Sequence, residues 1–371
     1  MKLNQLEARL PAMYYAALED GGPSYLVRSR PGRGKTSIFR RYKKIMKRVD
    51  PAGKWGFALI NGANFTLMTG MGFMVPSKDA KGREVSKFQL PYWYHDYDEP
   101  EKTLDEYTGG ILLIDEYDKL GLDEKKIVGE AALSKMLGNH RLPPGWVVMF
   151  AGNLMTDRSG STRDLDHMVM RRITLDVTDD VECTVEYYRS INVLPEVIQF
   201  AEENPQLLFE PQPEDQRPCC SPRTLHQTDI HLRSLMSVFD TTEIPTDPLT
   251  QEEISGGIGK PACAQLVKTI RLGQELKPYE EYIANPRTVT LPSKPDAQRL
   301  LSYKIAARVS VKDAKAALEF MTRMPEEHQV MFVRMAIQRN YQLAFEPHVA
   351  EWCAKKTALI AVLNRYKVED K

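Results

Sequence analysis

The sequence predicts an α/β fold: an open, mostly parallel five-stranded sheet with helices on both faces, followed by a region that is helical throughout. Three observations predict it. Short apolar runs alternate with helical patterns over the first half of the chain. A glycine-rich stretch, Ser29 to Ser37, joins the first of those runs to a helix. After about Asp179 strand-like runs cease, and helical periodicity punctuated by Pro and Gly takes over.

The first strand is Ser24 to Arg28 (SYLVR). A helix is expected from Thr36 to about Val49, because Ile38, Phe39, Tyr42, Ile45, Met46 and Val49 recur at helical spacing. Arg40, Arg41, Lys43, Lys44, Lys47 and Arg48 fill its other face. Further strands are Phe57 to Ile60, Ile111 to Ile114, Val147 to Ala151 and Ile173 to Val177, with helices near Asp123 to Leu137 and Arg163 to Arg171. Between Asn64 and Tyr94, glycines, a turn-like Asp79-Ala-Lys-Gly82 and flanking alternating segments suggest a β-hairpin. A second short hairpin is expected near Gly138 to Pro144. Beyond Asp179 the helical candidates are Val185 to Ile191, Leu194 to Glu203, Thr224 to Phe239, Ala262 to Leu276, Asp296 to Val309, Val311 to Met324, Glu326 to Asn340 and Val349 to Tyr366. Ser310 and Asp313 resemble a capping box at one of these starts. Glu210 to Pro222 and Ile283 to Pro295 read as Pro-rich connectors.

The chain has 371 residues, 42% hydrophobic and 27% charged, with 50 Lys+Arg against 50 Asp+Glu. That length suggests two or three domains, and the composition excludes collagen-like and wholly disordered classes. A net charge of zero argues against a nucleic-acid binder that relies on bulk positive potential. The start, MKLNQLEARLPAM, has no apolar leader, and the longest uncharged stretch, Gly62 to Ser77, is broken and too short to span a bilayer. A cytoplasmic location without membrane association is expected. The five cysteines show no metal-ligand spacing and the histidines form no HExxH-like pair, so no zinc is expected.

The chemistry gathers in order along the chain. Ser29-Arg-Pro-Gly-Arg-Gly-Lys-Thr36 is close to G-x-x-x-x-G-K-S/T, with Ser29 in place of the first glycine. Gly32 and Gly34 suit a backbone that must wrap closely around phosphates at a helix start. Lys35 would reach the β- and γ-phosphates of ATP, and the Thr36 hydroxyl would hold Mg²⁺. Ile111-Leu-Leu-Ile-Asp-Glu116 is an apolar strand ending in two carboxylates, at the edge where open α/β sheets bind ligands. Asp115 is placed to support Mg²⁺ and Glu116 to polarise water. Trp146-Val-Val-Met-Phe-Ala-Gly-Asn153 ends on an amide that would hydrogen-bond a γ-phosphate oxygen and the attacking water, or simply start a turn. Met168-Val-Met-Arg-Arg-Ile173 sets Arg171 and Arg172 just before a strand, and arginine suits a γ-phosphate across a subunit boundary. Cys220-Ser-Pro-Arg-Thr224 places Arg223 at a helix start in the second region.

With RPGRGKTS, GGILLIDEYDKL, LPPGWVVMFAGN, VMRRI and SPRTL in this order, the chain resembles the AAA+ ATPases, and within them the MoxR-type group of the helix-2-insert clade. The resemblance covers about Tyr25 to Leu225 and is more diffuse beyond. It implies a Walker A loop over Pro31, Gly32, Arg33, Gly34, Lys35, Thr36 and Ser37, and a Walker B strand with Asp115 and catalytic Glu116. It implies sensor 1 at Asn153, an arginine finger at Arg172 rather than Arg171, and sensor 2 at Arg223. It further implies a P-loop core over 1–179 with an insert at about 64–94, a helical lid over 180–293 and a C-terminal helical region over 294–371. ATP and Mg²⁺ are the implied cofactors, a homo-oligomeric ring of six the implied assembly, and a von Willebrand A-type protein a partner common in the group. The insert would face a central pore, where Met71, Phe73 and Met74 would grip a client or pack on a neighbouring subunit. An ATP-gated ring scaffold with little hydrolysis is an alternative, which Glu116, Asn153 and the two arginines disfavour. Ten Lys/Arg between Arg28 and Arg48 leave a nucleic-acid-directed motor as another, which the neutral total charge disfavours.

Overall fold

The structure, a computed structural model, describes residues 1–154 and 169–355. Most of the helix expected at Arg163 to Arg171, and the end of that expected at Val349 to Tyr366, lie outside the described residues. The chain divides into two compact units, Met1–Asp180 and Val181–Lys371.

The first unit contains nine strands among its described residues: β1 (Ser24–Ser29), β2 (Trp55–Asn61), β3 (Met74–Lys78), β4 (Glu84–Phe88), β5 (Gly109–Asp115), β6 (Met136–Leu137), β7 (His140–Arg141), β8 (Trp146–Asn153) and β9 (Arg172–Asp176). Five of them make the expected sheet, in the order β2-β5-β8-β1-β9, and every pairing in it is parallel. The central strands β5 and β8 are buried almost end to end, as their unbroken apolar runs require. Successive residues serve opposite faces: Ile111 and Leu113 join Phe39, Tyr42 and Phe57 on one side, while Leu112 and Ile114 join Trp93, Leu104 and Phe150 on the other. Register sets Ser29 beside Asn153 and Asn61 beside Asp115, so the polar residues that end these strands share one edge of the sheet.

The helix expected from Thr36 to Val49 is two helices. Following α1 (Leu3–Leu18), they are α2 (Lys35–Arg40) and α3 (Tyr42–Val49), separated at Arg41. Arg41 donates its N–H to Ile38 O at 3.0 Å, a tighter turn, and Tyr42 after it is fully buried against Tyr14 and Trp55. Helix α1 was not anticipated. Its buried Leu6, Leu10, Met13, Tyr14 and Ala17 have helical spacing, but Pro11 lies inside it and breaks the pattern on reading.

The hairpin expected between Asn64 and Tyr94 is β3–β4, turned through Asp79, whose Oδ1 accepts from the N–H groups of Lys81 and Arg83. It follows the short helix α4 (Leu67–Met71). The second expected hairpin, β6–β7, follows α5 (Leu122–Ser134). The two hairpin regions are tied together at His140, whose Nε2 lies 2.8 Å from Met71 O and whose ring meets those of Phe88, Trp93 and Tyr94. Trp93 is 1% exposed and donates its Nε1–H to Gly70 O at 2.8 Å. Trp93→Ala removes both the buried ring and that bond. We expect it to destabilise the first unit by about 3–5 kcal/mol, seen as a urea transition at lower concentration.

The second unit is helical throughout its described residues and encloses one apolar core. Helices Pro205–Leu208 and Pro248–Ile258 were not anticipated. In both, Pro occupies the first turn, where its fixed φ favours a helix. The capping box expected at Ser310 does not form. The helix starts later, at Ala314, and the Ser310 hydroxyl donates to the Asp313 carboxylate, which also accepts from Tyr279. Among the described residues no helix is long and apolar enough to cross a membrane.

Candidate functional site

The loop between β1 and α2 follows from its glycines. Gly32 and Gly34 have φ of 73° and 87°, a left-handed conformation that side chains oppose, and Gly34 caps α2 without a side chain. Ser29 closes β1 as an ordinary strand residue. It is absent from the positive-φ positions, so replacing a glycine there carries no left-handed strain.

Lys35 is 7% exposed, and its ammonium points back into the loop. Its Nζ donates to Ser29 O and Ser29 Oγ, each at 2.9 Å, to Arg30 O at 3.2 Å and to Asn153 Oδ1 at 3.3 Å. These four oxygens are all neutral. The Thr36 hydroxyl donates to Asp115 Oδ2 at 2.6 Å, joining α2 to the end of β5. The other carboxylate oxygen of Asp115 accepts from the Glu116 N–H at 2.9 Å. Glu116 has φ 52° and ψ 38°, so the chain turns sharply at the residue proposed to meet water.

Asp118 joins this candidate site, and its spacing along the sequence did not single it out. It is 7% exposed, and its Oδ1 accepts from the Asn153 N–H at 2.8 Å while Oδ2 accepts from Asn153 Nδ2 at 3.3 Å. A carboxylate only accepts and an ammonium only donates, so Asn153, held between Asp118 and Lys35, has one amide orientation consistent with both. Its Oδ1 is thereby directed to the loop between β1 and α2 as an acceptor. The signal was present in the sequence, because Asp118 is a third acid, two residues past the Asp115-Glu116 pair in IDEYDK.

The arginines are divided between the two units. Arg172 opens β9, and its guanidinium lies over the ring of Tyr117, 5.2 Å from the centroid. The Lys125 ammonium lies 4.9 Å from the same centroid. Tyr117 directly follows Glu116, so Arg172 is packed within its own chain next to the candidate acid–base residue. Arg171, one residue earlier, is exposed. Arg223 is exposed in the first turn of helix Pro222–Val238, in the second unit.

The basic run from Arg28 to Arg48 meets carboxylates of its own chain. Arg28 pairs with Asp176 at 2.8 Å, Arg33 with Asp179 at 2.8 Å, and Arg41 with Glu7 at 3.0 Å. Lys43 pairs with Asp96 at 2.5 Å and Asp98 at 3.1 Å, and Arg40 stacks on Tyr97. Of the loop residues, Arg33 is thus held by Asp179 at the end of the first unit, and Pro31 and Ser37 lie in the loop and first turn of α2.

No protein-family model matches the chain, and no curated protein matches it. Solved structures do resemble it distantly. A mutant of RuvB from Thermotoga maritima is 12% identical over 76% of this chain and 75% of that one, with a TM-score of 0.39. NtrX from Brucella abortus is 15% identical over 99% and 68%, with a TM-score of 0.38. The same NtrX in complex with ADP is 15% identical over 96% and 68%, with a TM-score of 0.37. Likenesses this remote carry no argument about what this chain does, which rests on its own sheet edge and loop.

Proposed function

We propose that this chain is a Mg²⁺-dependent ATPase of the AAA+ type, MoxR-like in its inserts, that works as a ring, with six copies as the expected size, to remodel a protein or complex. One observation supports it above the others. Lys35, Thr36, Asp115 and Asn153 come from α2, β5 and β8, and hydrogen bonds draw them together at one sheet edge beside a left-handed glycine loop.

The donor set fits Mg²⁺. A hydroxyl and a carboxylate oxygen meet at 2.6 Å, and Mg²⁺ is commonly held by one or two protein oxygens plus substrate phosphates. When bound, it offsets the charge that develops on the transferred phosphoryl group. Thr36 and Asp115 would hold it, and Lys35 would bind phosphate oxygens. Asn153 Oδ1, turned by Asp118, would accept one hydrogen of the attacking water. Glu116 would orient that water and take its proton. Arg172, or less favourably Arg171, would supply positive charge to a neighbouring copy's site, and Arg223 would sense nucleotide from the helical unit. A von Willebrand A-type partner remains part of this reading through resemblance alone.

Titration calorimetry with Mg²⁺-ATP tests the binding step. Wild type should bind, and Lys35→Ala should weaken binding about 100-fold, since it removes the ammonium that points into the loop. Equal affinities would move the nucleotide elsewhere and end this reading.

A further inference from the structure

The residue that departs from the expected loop pattern does something a glycine cannot. Ser29 is fully buried. Its hydroxyl donates to Arg30 O at 2.9 Å, which turns its lone pairs towards Lys35, and Lys35 Nζ donates to that Oγ at 2.9 Å. An ammonium has three protons. Ser29 O, Ser29 Oγ, Arg30 O and Asn153 Oδ1 already outnumber them. Any phosphate oxygen that Lys35 binds must therefore share a proton with one of these or displace it. Backbone carbonyls would remain whatever residue stood at 29, but the hydroxyl is particular to Ser29. Because the site is buried, no water replaces it there at low cost.

We propose that Ser29 is a latch on Lys35: its hydroxyl competes with the phosphates of a bound nucleotide for the ammonium, and so sets a weaker nucleotide affinity than a glycine at this position would. The idea rests on the nucleotide-binding reading above and deepens it. A hydrogen bond to a charged donor contributes on the order of a factor of ten, and the three remaining acceptors recover part of it. Weakening a competing conformation raises apparent affinity by the increase in the competent fraction. Ser29→Ala removes the hydroxyl and little else.

The test is calorimetric titration of ADP into the full chain, for wild type, Ser29→Ala and Ser29→Gly, with melting temperatures recorded without and with ADP. The latch predicts that both variants bind ADP about 3- to 10-fold more tightly. Their melting temperature without ADP should be unchanged or lower, and the rise on adding ADP larger. If wild type binds ADP and both variants bind equally or more weakly, Ser29 is only a packing residue and the latch is wrong, while the nucleotide-binding reading stands. If wild type binds no ADP, both ideas fall together.

Discussion

Glu116→Gln should lower ATP hydrolysis by about 10²- to 10⁴-fold while nucleotide binding survives. The separation follows from where the residue sits. The bonds that organise the loop side of the candidate site run between Lys35, Ser29, Asn153, Thr36 and Asp115, and none of them passes through the Glu116 side chain. Glutamine is close to isosteric and keeps the left-handed turn at φ 52° on the same terms. It cannot take a proton from water. Single-turnover phosphate release, set beside calorimetry of the same samples, reads both halves of the prediction. Hydrolysis at the wild-type rate would assign water activation to another group.

Arg172→Ala should abolish hydrolysis at concentrations where copies assemble, a loss of about 10³-fold or more if the arginine acts as a finger in a neighbouring site. The structure adds a constraint, since the guanidinium lies on Tyr117 of its own chain. To reach another copy it must leave that ring, which costs a cation–π contact of about 0.5–2 kcal/mol. Mixing two inactive variants separates action within a chain from action between chains. Arg172→Ala keeps an intact loop, and Lys35→Ala keeps an intact arginine. If Arg172 serves a neighbouring copy, the mixture regains activity that neither variant has alone. If it steadies Tyr117 and Glu116 within its own chain, the mixture stays inactive, and Arg171, exposed beside it, becomes the residue to test between copies.

The parts of the fold that were legible in the sequence are those with one dominant signal. β5 and β8 are apolar without interruption because both of their faces are covered, and such runs have few alternative readings. The β3–β4 hairpin was legible from Asp79 and Gly82, which make its turn. Two helices that open on proline, at Pro205 and Pro248, were not, although Leu194 to Glu203 was expected across Pro195; the residue that stops a helix in its interior also favours its first turn. The break at Arg41 was equally hidden, since the apolar spacing runs through it without a phase change and the burial of Tyr42 is a tertiary fact.

The candidate site divides in the same way. Lys35, Thr36, Asp115 and Asn153 were legible because each closes or follows a recognisable strand, and strand ends meet at one edge of a parallel sheet. Asp118 and Ser29 were not assigned their contacts, for they act on other side chains, and spacing along the chain does not encode which way an amide or an ammonium turns. The carboxylates that meet the basic run, Glu7, Asp96, Asp98, Asp176 and Asp179, come from α1, from the segment before β5 and from β9 onward. Only the fold brings them there.

The most direct measurement of the central claim is phosphate release from Mg²⁺-ATP by wild type and Glu116→Gln over a range of protein concentrations. Turnover by wild type should rise per subunit as copies assemble, and that by Glu116→Gln should stay about 10²-fold or more below it at every concentration. Turnover unaffected by Glu116→Gln, or no turnover by wild type at any concentration, would contradict that claim.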